Sequence, residues 1–324
     1  MAEKLKFAFY WAASCGGCEI AVLDIDEKIL DVMTVADIVF WPVAMDIKYK
    51  DVEGMPDKSI DVCFFNGGVR NEENEHMAKL LRQKAKVLVA FGACATQGGV
   101  PGLANLTNRE ELFETVYLKN PSTMNSNNSV PQTSVKVTEG ELTLPKLYNT
   151  VKPLDQVVDV DYYLPGCPPS AKEVAKAIEA IAKGELPPKG SVLGPERSVC
   201  DECPRKREWK KISNIYRVYE IIPEPEPKCL LEQGIICYGP ATRGGCEAQC
   251  VHANMPCTGC RGPCPNAIEQ GAAMISALAS IMGLEEEKET SFDPMKLIDQ
   301  IKDPVGTFYM YSLASSILRR RMKK

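Results

Sequence analysis

Histidine is nearly missing from this chain: His76 and His252 are the only two in 324 residues. Zinc sites that mix cysteine with imidazole therefore have little to draw on. Long apolar runs are missing as well. None approaches the ~20 residues needed to cross a bilayer, which excludes a helical membrane span. Excess positive charge is also missing, with 38 Lys and Arg against 43 Asp and Glu and a net charge of −5. That balance gives no broad electrostatic case for nucleic acid. The opening "MAEKLKFAFYWAAS" has no proper hydrophobic signal region, cleavage site or twin-arginine pair, so a cytoplasmic protein is expected. No internal repeat or extended low-complexity segment stands out.

What is present is ordinary in bulk and unusual in one residue. Hydrophobic content of 45% and charged content of 25% suit a globular protein. The length allows one large domain or two medium ones. Cysteine is the anomaly, at 14 residues. Disulfides suit short secreted chains, and this one is long enough to bury a core without staples. Zinc favours paired C-x-x-C units. Iron–sulfur clusters need four thiolates each, from local pairs and distant single cysteines. The pattern favours the last reading.

The first half reads as α/β. Strand-like runs occur at 6–11, 36–43, 60–68, 86–94 and 160–167, with helical patterns between several of them, such as 73–85. Ser170 and Glu173 form a capping box ahead of a helix that should end at Gly184. This alternation predicts a mostly parallel, doubly wound sheet over residues 1–184. Residues 95–160 read as a partly inserted surface region, with a helix near "NREELFETVY" and a hairpin near "SVKVTEGELTL". From 185 to 324 the chain is rich in Pro, Gly and Cys and holds nine of the 14 cysteines. It shows too little patterned apolar sequence for a conventional core, so bound metal centres are expected to organise it. Helices are expected at 266–283 and over the C-terminal "GTFYMYSLASSILRRRMKK".

Cys15 and Cys18 in "SCGGCE" follow the first strand run, Cys94 ends the fourth and Cys167 ends the fifth. Ligands of open α/β sheets bind outside the carboxyl ends of the strands. One parallel sheet can therefore gather these four thiols on one edge, where they can hold a [4Fe–4S] cluster. Gly16, Gly17, Gly92 and Gly166 would let backbone amides approach the cluster sulfurs. A thioredoxin-like dithiol also suits Cys15 and Cys18, but it leaves Cys94 and Cys167 unexplained. Cys63, in the middle of "DVCFF", reads as core packing. The nine later cysteines make two sets of four with one over. A zinc ribbon from Cys200/Cys203 and Cys257/Cys260 would leave five idle. "CTGCRGPCP" looks like a ferredoxin tail without its upstream half.

Taken together, "CGGCE", "GAC" after a strand, "PGCPP", "CYGPATRGGC" and "PCTGC" resemble, in their order and spacing, the small subunit of [NiFe] hydrogenases. The resemblance covers most of the chain. It implies a flavodoxin-like N-terminal domain with a proximal cluster on Cys15, Cys18, Cys94 and Cys167. It further implies a distal cluster on Cys200, Cys203, Cys229 and Cys237, and a medial cluster on Cys246, Cys257 and Cys260. Respiratory members have histidine at the first distal position, where this chain has Cys200, and proline near the place of Cys250. Three [4Fe–4S] clusters with all-cysteine ligands are therefore implied, with Cys250 preferred to Cys264 as the fourth medial ligand. Thiolate in place of imidazole adds negative charge, which points to low potentials.

The chain looks most like the cytoplasmic, viologen-reducing and deazaflavin-non-reducing type of methanogens. That type passes electrons through a small iron–sulfur adaptor to heterodisulfide reductase. Hydrogen would be split on a large-subunit partner, since no motif here resembles the paired C-x-x-C sets that hold nickel and iron. The small subunit of a deazaflavin-reducing hydrogenase, a hydrogen sensor or quinone-oxidoreductase module, and a non-catalytic iron–sulfur or zinc scaffold are the rival readings. Glu19 is expected chiefly as an acid favoured by a helix N-terminus, with a role in proton exit or cluster hydrogen bonding as the alternative. His252 reads equally as a surface residue or as an accessory to the medial site. The basic tail 319–324 reads as a solvated helix end.

Overall fold

The computed structural model describes residues 4–208, 211–224, 227–282 and 294–319. Its centre is a five-stranded, wholly parallel sheet formed by β1 (Leu5–Trp11), β2 (Ala36–Phe40), β3 (Ile60–Asn66), β4 (Ala85–Phe91) and β5 (Tyr162–Leu164). The spatial order is β2-β1-β3-β4-β5, with the switch point beside β1. Alternate residues face opposite layers. Phe7, Phe9, Phe64, Val89, Phe91 and Leu164 pack with the helices Gly17–Leu23 and Ala171–Lys183. Ala8, Tyr10, Cys63, Phe65, Leu88 and Ala90 pack on the other side with the helix Glu72–Lys84. With both faces covered, the central strands are apolar throughout, as their sequences predict. Cys63 is fully buried in mid-strand and belongs to that packing.

Helix boundaries follow local chemistry. The Asn71 side chain accepts from the Asn74 amide at 2.8 Å to start the helix Glu72–Lys84. Acids fill its first turn and Arg82 and Lys84 its last, complementing the helix dipole. Ser170 and Glu173 form the expected capping box, and Gly184 in the left-handed region ends that helix.

Three expectations change. Residues 95–160 are not all surface. A strand at Leu147–Lys152 pairs with Val69–Asn71, and Asn105 is buried, bonding Val151 through both its N–H and its oxygen. The predicted hairpin is present and exposed, Ser134–Val137 against Gly140–Thr143. The Cys-rich half also has its own apolar core, including Val199, Ile215, Leu230, Ile235, Val251, Met274, Leu278 and Phe308. These residues come from loops and from the helix Gln270–Ile281, so no sequence period announces them. The C-terminal helix stops at Tyr309. Beyond it the hydroxyls of Ser315 and Ser316 bond the carbonyls three residues back, a local alternative to helix. Arg319 lies in this non-helical stretch, and 320–324 fall outside the described residues. Among the described residues no helix is long and apolar enough to cross a membrane.

Candidate iron–sulfur centres

Cys15, Cys18, Cys94 and Cys167 lie just beyond the carboxyl ends of β1, β4 and β5, placed there by three local devices. The chain leaves β1, makes a left-handed turn at Gly16 (φ 81°) and enters the helix carrying Cys18. It leaves β4 through Gly92 (φ 83°) into the helix carrying Cys94. The Ala93 amide then bonds the Gly166 carbonyl at 2.6 Å, tying the Cys94 turn to the Cys167 loop. Burial pushes the Cys18 and Cys94 thiols up, Cys94 to about 12, and the neighbouring thiols add to both shifts. Cys18 feels Cys94, Cys167 and Cys15, and Cys94 feels Cys167 and Cys15. Such thiols resist ionising side by side unless a cationic centre is present to balance them.

The packing also fits such a centre. A Cβ on Gly92 would stand 2.2 Å from the Cys18 sulfur, and one on Gly99 would stand 2.6 Å from the Cys94 sulfur. Of the four glycines singled out in the sequence, Gly92 and Gly17 lie against these thiols, whereas Gly16 faces Trp11 and Gly166 faces Pro168 and Pro169. Among the described residues, no three or more His, Cys, Asp or Glu side chains converge tightly enough to hold a single metal ion.

Cys200, Cys203, Cys229 and Cys237 line one cavity together with Leu230, Leu231, Gly239 and Pro240. A Cβ on Gly239 would lie 2.9 Å from the Cys200 sulfur. Burial raises Cys200 to about 12 and Cys237 to about 11, with the other thiols of the group adding to each shift. Backbone amides soften this: Arg205 donates to Cys203 at 3.4 Å, Gly239 to Cys237, and Leu231 and Glu232 to Cys229.

In the remaining group, burial raises Cys260 to about 12, and the charges of Cys246, Cys167 and Cys250 act on it. Cys257 is buried and feels Cys237 and Cys260. Amides of Ala248 and Gln249 point at Cys246, and that of Gly259 at Cys257. Cys264 bonds the Ala241 carbonyl through its amide beside the Thr242–Pro263 bridge. His252 is exposed at the end of a short helix.

Two contacts join the groups. The Cys167 amide donates to the Cys260 sulfur, and the Cys257 amide donates to the Cys237 sulfur at 3.3 Å. The sequence motifs did not reveal this direct linkage.

Glu19 stands in the first turn of its helix, as expected, but it is buried there. It is 2% exposed and accepts from the Trp41 indole and, at 3.4 Å, from the Asn66 amide. Burial holds its carboxyl above the usual range, while those two donors oppose the shift. Its helix spans Gly17–Leu23, and the side chain turns into the core and not toward solvent. Asn66 and Trp41 are the residues that sequence reading missed here. Their only signal was a polar residue at the end of an apolar strand and an indole at the start of a loop.

A parallel sheet of this order defines a flavodoxin-like, doubly wound α/β fold. The family of the NADH ubiquinone oxidoreductase 20 kDa subunit matches residues 15–181. A chain of the [NiFeSe] hydrogenase from Desulfovibrio vulgaris Hildenborough has the same fold. It is 16% identical with a TM-score of 0.53, over 82% of this chain and 95% of that one. The iron-sulfur subunit of the F420-non-reducing hydrogenase of Archaeoglobus profundus is 45% identical over 99% of both chains. A subunit of the F420-non-reducing hydrogenase of Methanothermobacter marburgensis is 39% identical over 100% of this chain and 99% of its own. The chain belongs to the [NiFe] hydrogenase small-subunit family, among the small subunits of F420-non-reducing hydrogenases. Membership implies iron–sulfur cofactors, and the 14 cysteines meet that requirement.

Proposed function

We propose that this chain carries electrons from hydrogen oxidation on a large [NiFe] subunit through three [4Fe–4S] clusters to a cytoplasmic acceptor. The ligand sets are Cys15, Cys18, Cys94 and Cys167 (proximal), Cys246, Cys250, Cys257 and Cys260 (medial), and Cys200, Cys203, Cys229 and Cys237 (distal). The acceptor is the heterodisulfide reductase system, reached through a small iron–sulfur adaptor. The observation that carries this reading is the common cavity lined by Cys200, Cys203, Cys229 and Cys237, together with the mutual charge effects among Cys15, Cys18, Cys94 and Cys167 and among Cys246, Cys250 and Cys260. When bound, such clusters supply one-electron redox centres.

The residues of the chain do the rest. Amides of Gly239, Ala248 and Gly259 stabilise negative charge on the sulfurs. Val199, Leu230, Leu231 and Val251 keep water from the distal site. The cross-contacts at Cys260 and Cys237 keep neighbouring sites close, as electron tunnelling requires.

The test is anaerobic purification of the complex with iron quantitation and EPR-monitored redox titration. The expected result is about twelve iron atoms per chain in three four-iron clusters, all at low potential, with hydrogen-dependent reduction of viologen and no reduction of F420. A high-potential three-iron signal in the unaltered protein overturns the medial assignment. Zinc in place of iron overturns the whole reading.

A further inference from the structure

The only large cation buried completely between the two halves, among the described residues, is Arg261. Its side chain is 1% exposed. It follows Cys260 directly, yet its contacts lie elsewhere. Nε donates to the carbonyls of Arg243 (3.2 Å) and Gly244 (2.9 Å), just ahead of Cys246. Nη1 donates to the carbonyl of Pro165 at 3.1 Å, two residues before Cys167, and pairs with the Glu173 carboxylate. Glu173 is itself fixed, because its other oxygen takes the Ser170 hydroxyl (2.9 Å) and amide (3.2 Å) in the helix cap. Nη2 is buried with no hydrogen-bond partner and is flanked by glycines. A Cβ on Gly245 would stand 2.7 Å from it, and one on Gly194 would stand 3.2 Å away. Those two positions leave room for a guanidinium and for little else.

We infer that Arg261 is the positioning residue of the proximal–medial junction. It clamps the loop of Cys167 to the loops of Cys246 and Cys260, and with Glu173 it sets the charge felt there. This rests on the cluster assignment proposed above. A planar fork is needed, because one ammonium group cannot reach three carbonyls and a carboxylate lying in different directions. The pair is formally neutral, so removing either partner leaves the other buried and uncompensated. Without the guanidinium, Glu173 opposes adding an electron nearby. Without the carboxylate, the guanidinium favours it.

The experiment uses the assembled complex with Arg261→Gln, Arg261→Lys and Glu173→Gln. It reads amide hydrogen exchange, then the cluster midpoints. Arg261→Gln should speed exchange at the Cys167 and Gly245 amides together by tenfold or more. It should also lower the medial midpoint by about 59 mV, a tenfold change in the one-electron equilibrium. Glu173→Gln should raise that midpoint. Arg261→Lys should restore the midpoint to within threefold in that equilibrium but leave both amides unprotected. The distal midpoint should stay fixed in all three.

Wild-type protection at either amide in Arg261→Gln, protection regained with Lys, or midpoint shifts of one sign overturns the inference. Exchange is read whether or not iron is bound, so an iron-free wild type would defeat the proposed function and still leave Arg261 judged. Should Arg261→Gln fail to fold, Gly245→Ala displaces the guanidinium with both charges kept. It should loosen the same two amides, and intact protection there overturns the clamp.

Discussion

Gly92→Ala tests most directly whether the carboxyl edge of the sheet is built as a cluster cradle. Two costs can be separated. Gly92 has φ 83°, so any side chain there incurs left-handed strain of roughly 1–2 kcal/mol. The added Cβ would also stand 2.2 Å from the Cys18 sulfur, a contact that forces the thiol out of its place or shifts the helix Gly17–Leu23. Overpacking of that kind adds about 1–3 kcal/mol.

Gly184→Ala is the matched control. It has φ 70° at the end of a helix, and nothing lies within 4 Å of its built Cβ, so only the strain applies. Thermal unfolding should place Gly92→Ala about 1–3 kcal/mol below Gly184→Ala. Iron analysis should show about four atoms lost from Gly92→Ala and none from the control. Equal stability and full iron in both variants would refute the cradle argument, since the steric contact would then have no consequence.

Three further outcomes are expected. Cys250→Ser should convert the medial centre to a three-iron EPR signal while Cys264→Ser leaves it unchanged; the reverse pattern would move the fourth ligand to Cys264. Cys63→Ala should cost about 1 kcal/mol in thermal unfolding and no iron, since that thiol only fills space between β1 and β4. Asp161 is desolvated by burial, yet Lys189, Arg82 and the Leu88 amide bond it and hold its carboxyl below the usual range. A depressed folded pKa means that this stabilisation is present above about pH 4 and is lost as pH falls through the folded value. Asp161→Asn should therefore cost about 2 kcal/mol at neutral pH, and the gap to wild type should shrink in acid. A gap independent of pH would contradict the pairing.

The parallel sheet was legible because its strands are apolar on both faces and its helices carry ordinary start and stop signals. Each observed strand starts within two residues of its expected start, though β2, β3, β4 and β5 all end earlier. The placement of Cys15, Cys18, Cys94 and Cys167 just past strand ends followed from topology. Other features had no local signature. The core of the second half is assembled from isolated residues such as Ile215, Val251 and Phe308, which only the folded chain brings together. The burial of Glu19 depends on Trp41 and Asn66, 22 and 47 positions away. The Leu147–Lys152 strand has a partner of only three residues, too short to show in a pattern. Arg261 sat in plain view after "CTGC", but its partners are up to 96 positions distant.

The two backbone-to-sulfur contacts bear on how such a protein can change over generations. Cys167 belongs to the first half and Cys260 to the second, and the amide of one serves the sulfur of the other. A recombinant joining residues 1–184 to an unrelated iron–sulfur tail would keep every ligand of the sheet edge, yet it would orphan that amide. The halves are therefore poor interchangeable parts. Exchange between lineages should succeed only where the donor brings a thiol to the same spot, so the two are expected to be inherited as one unit.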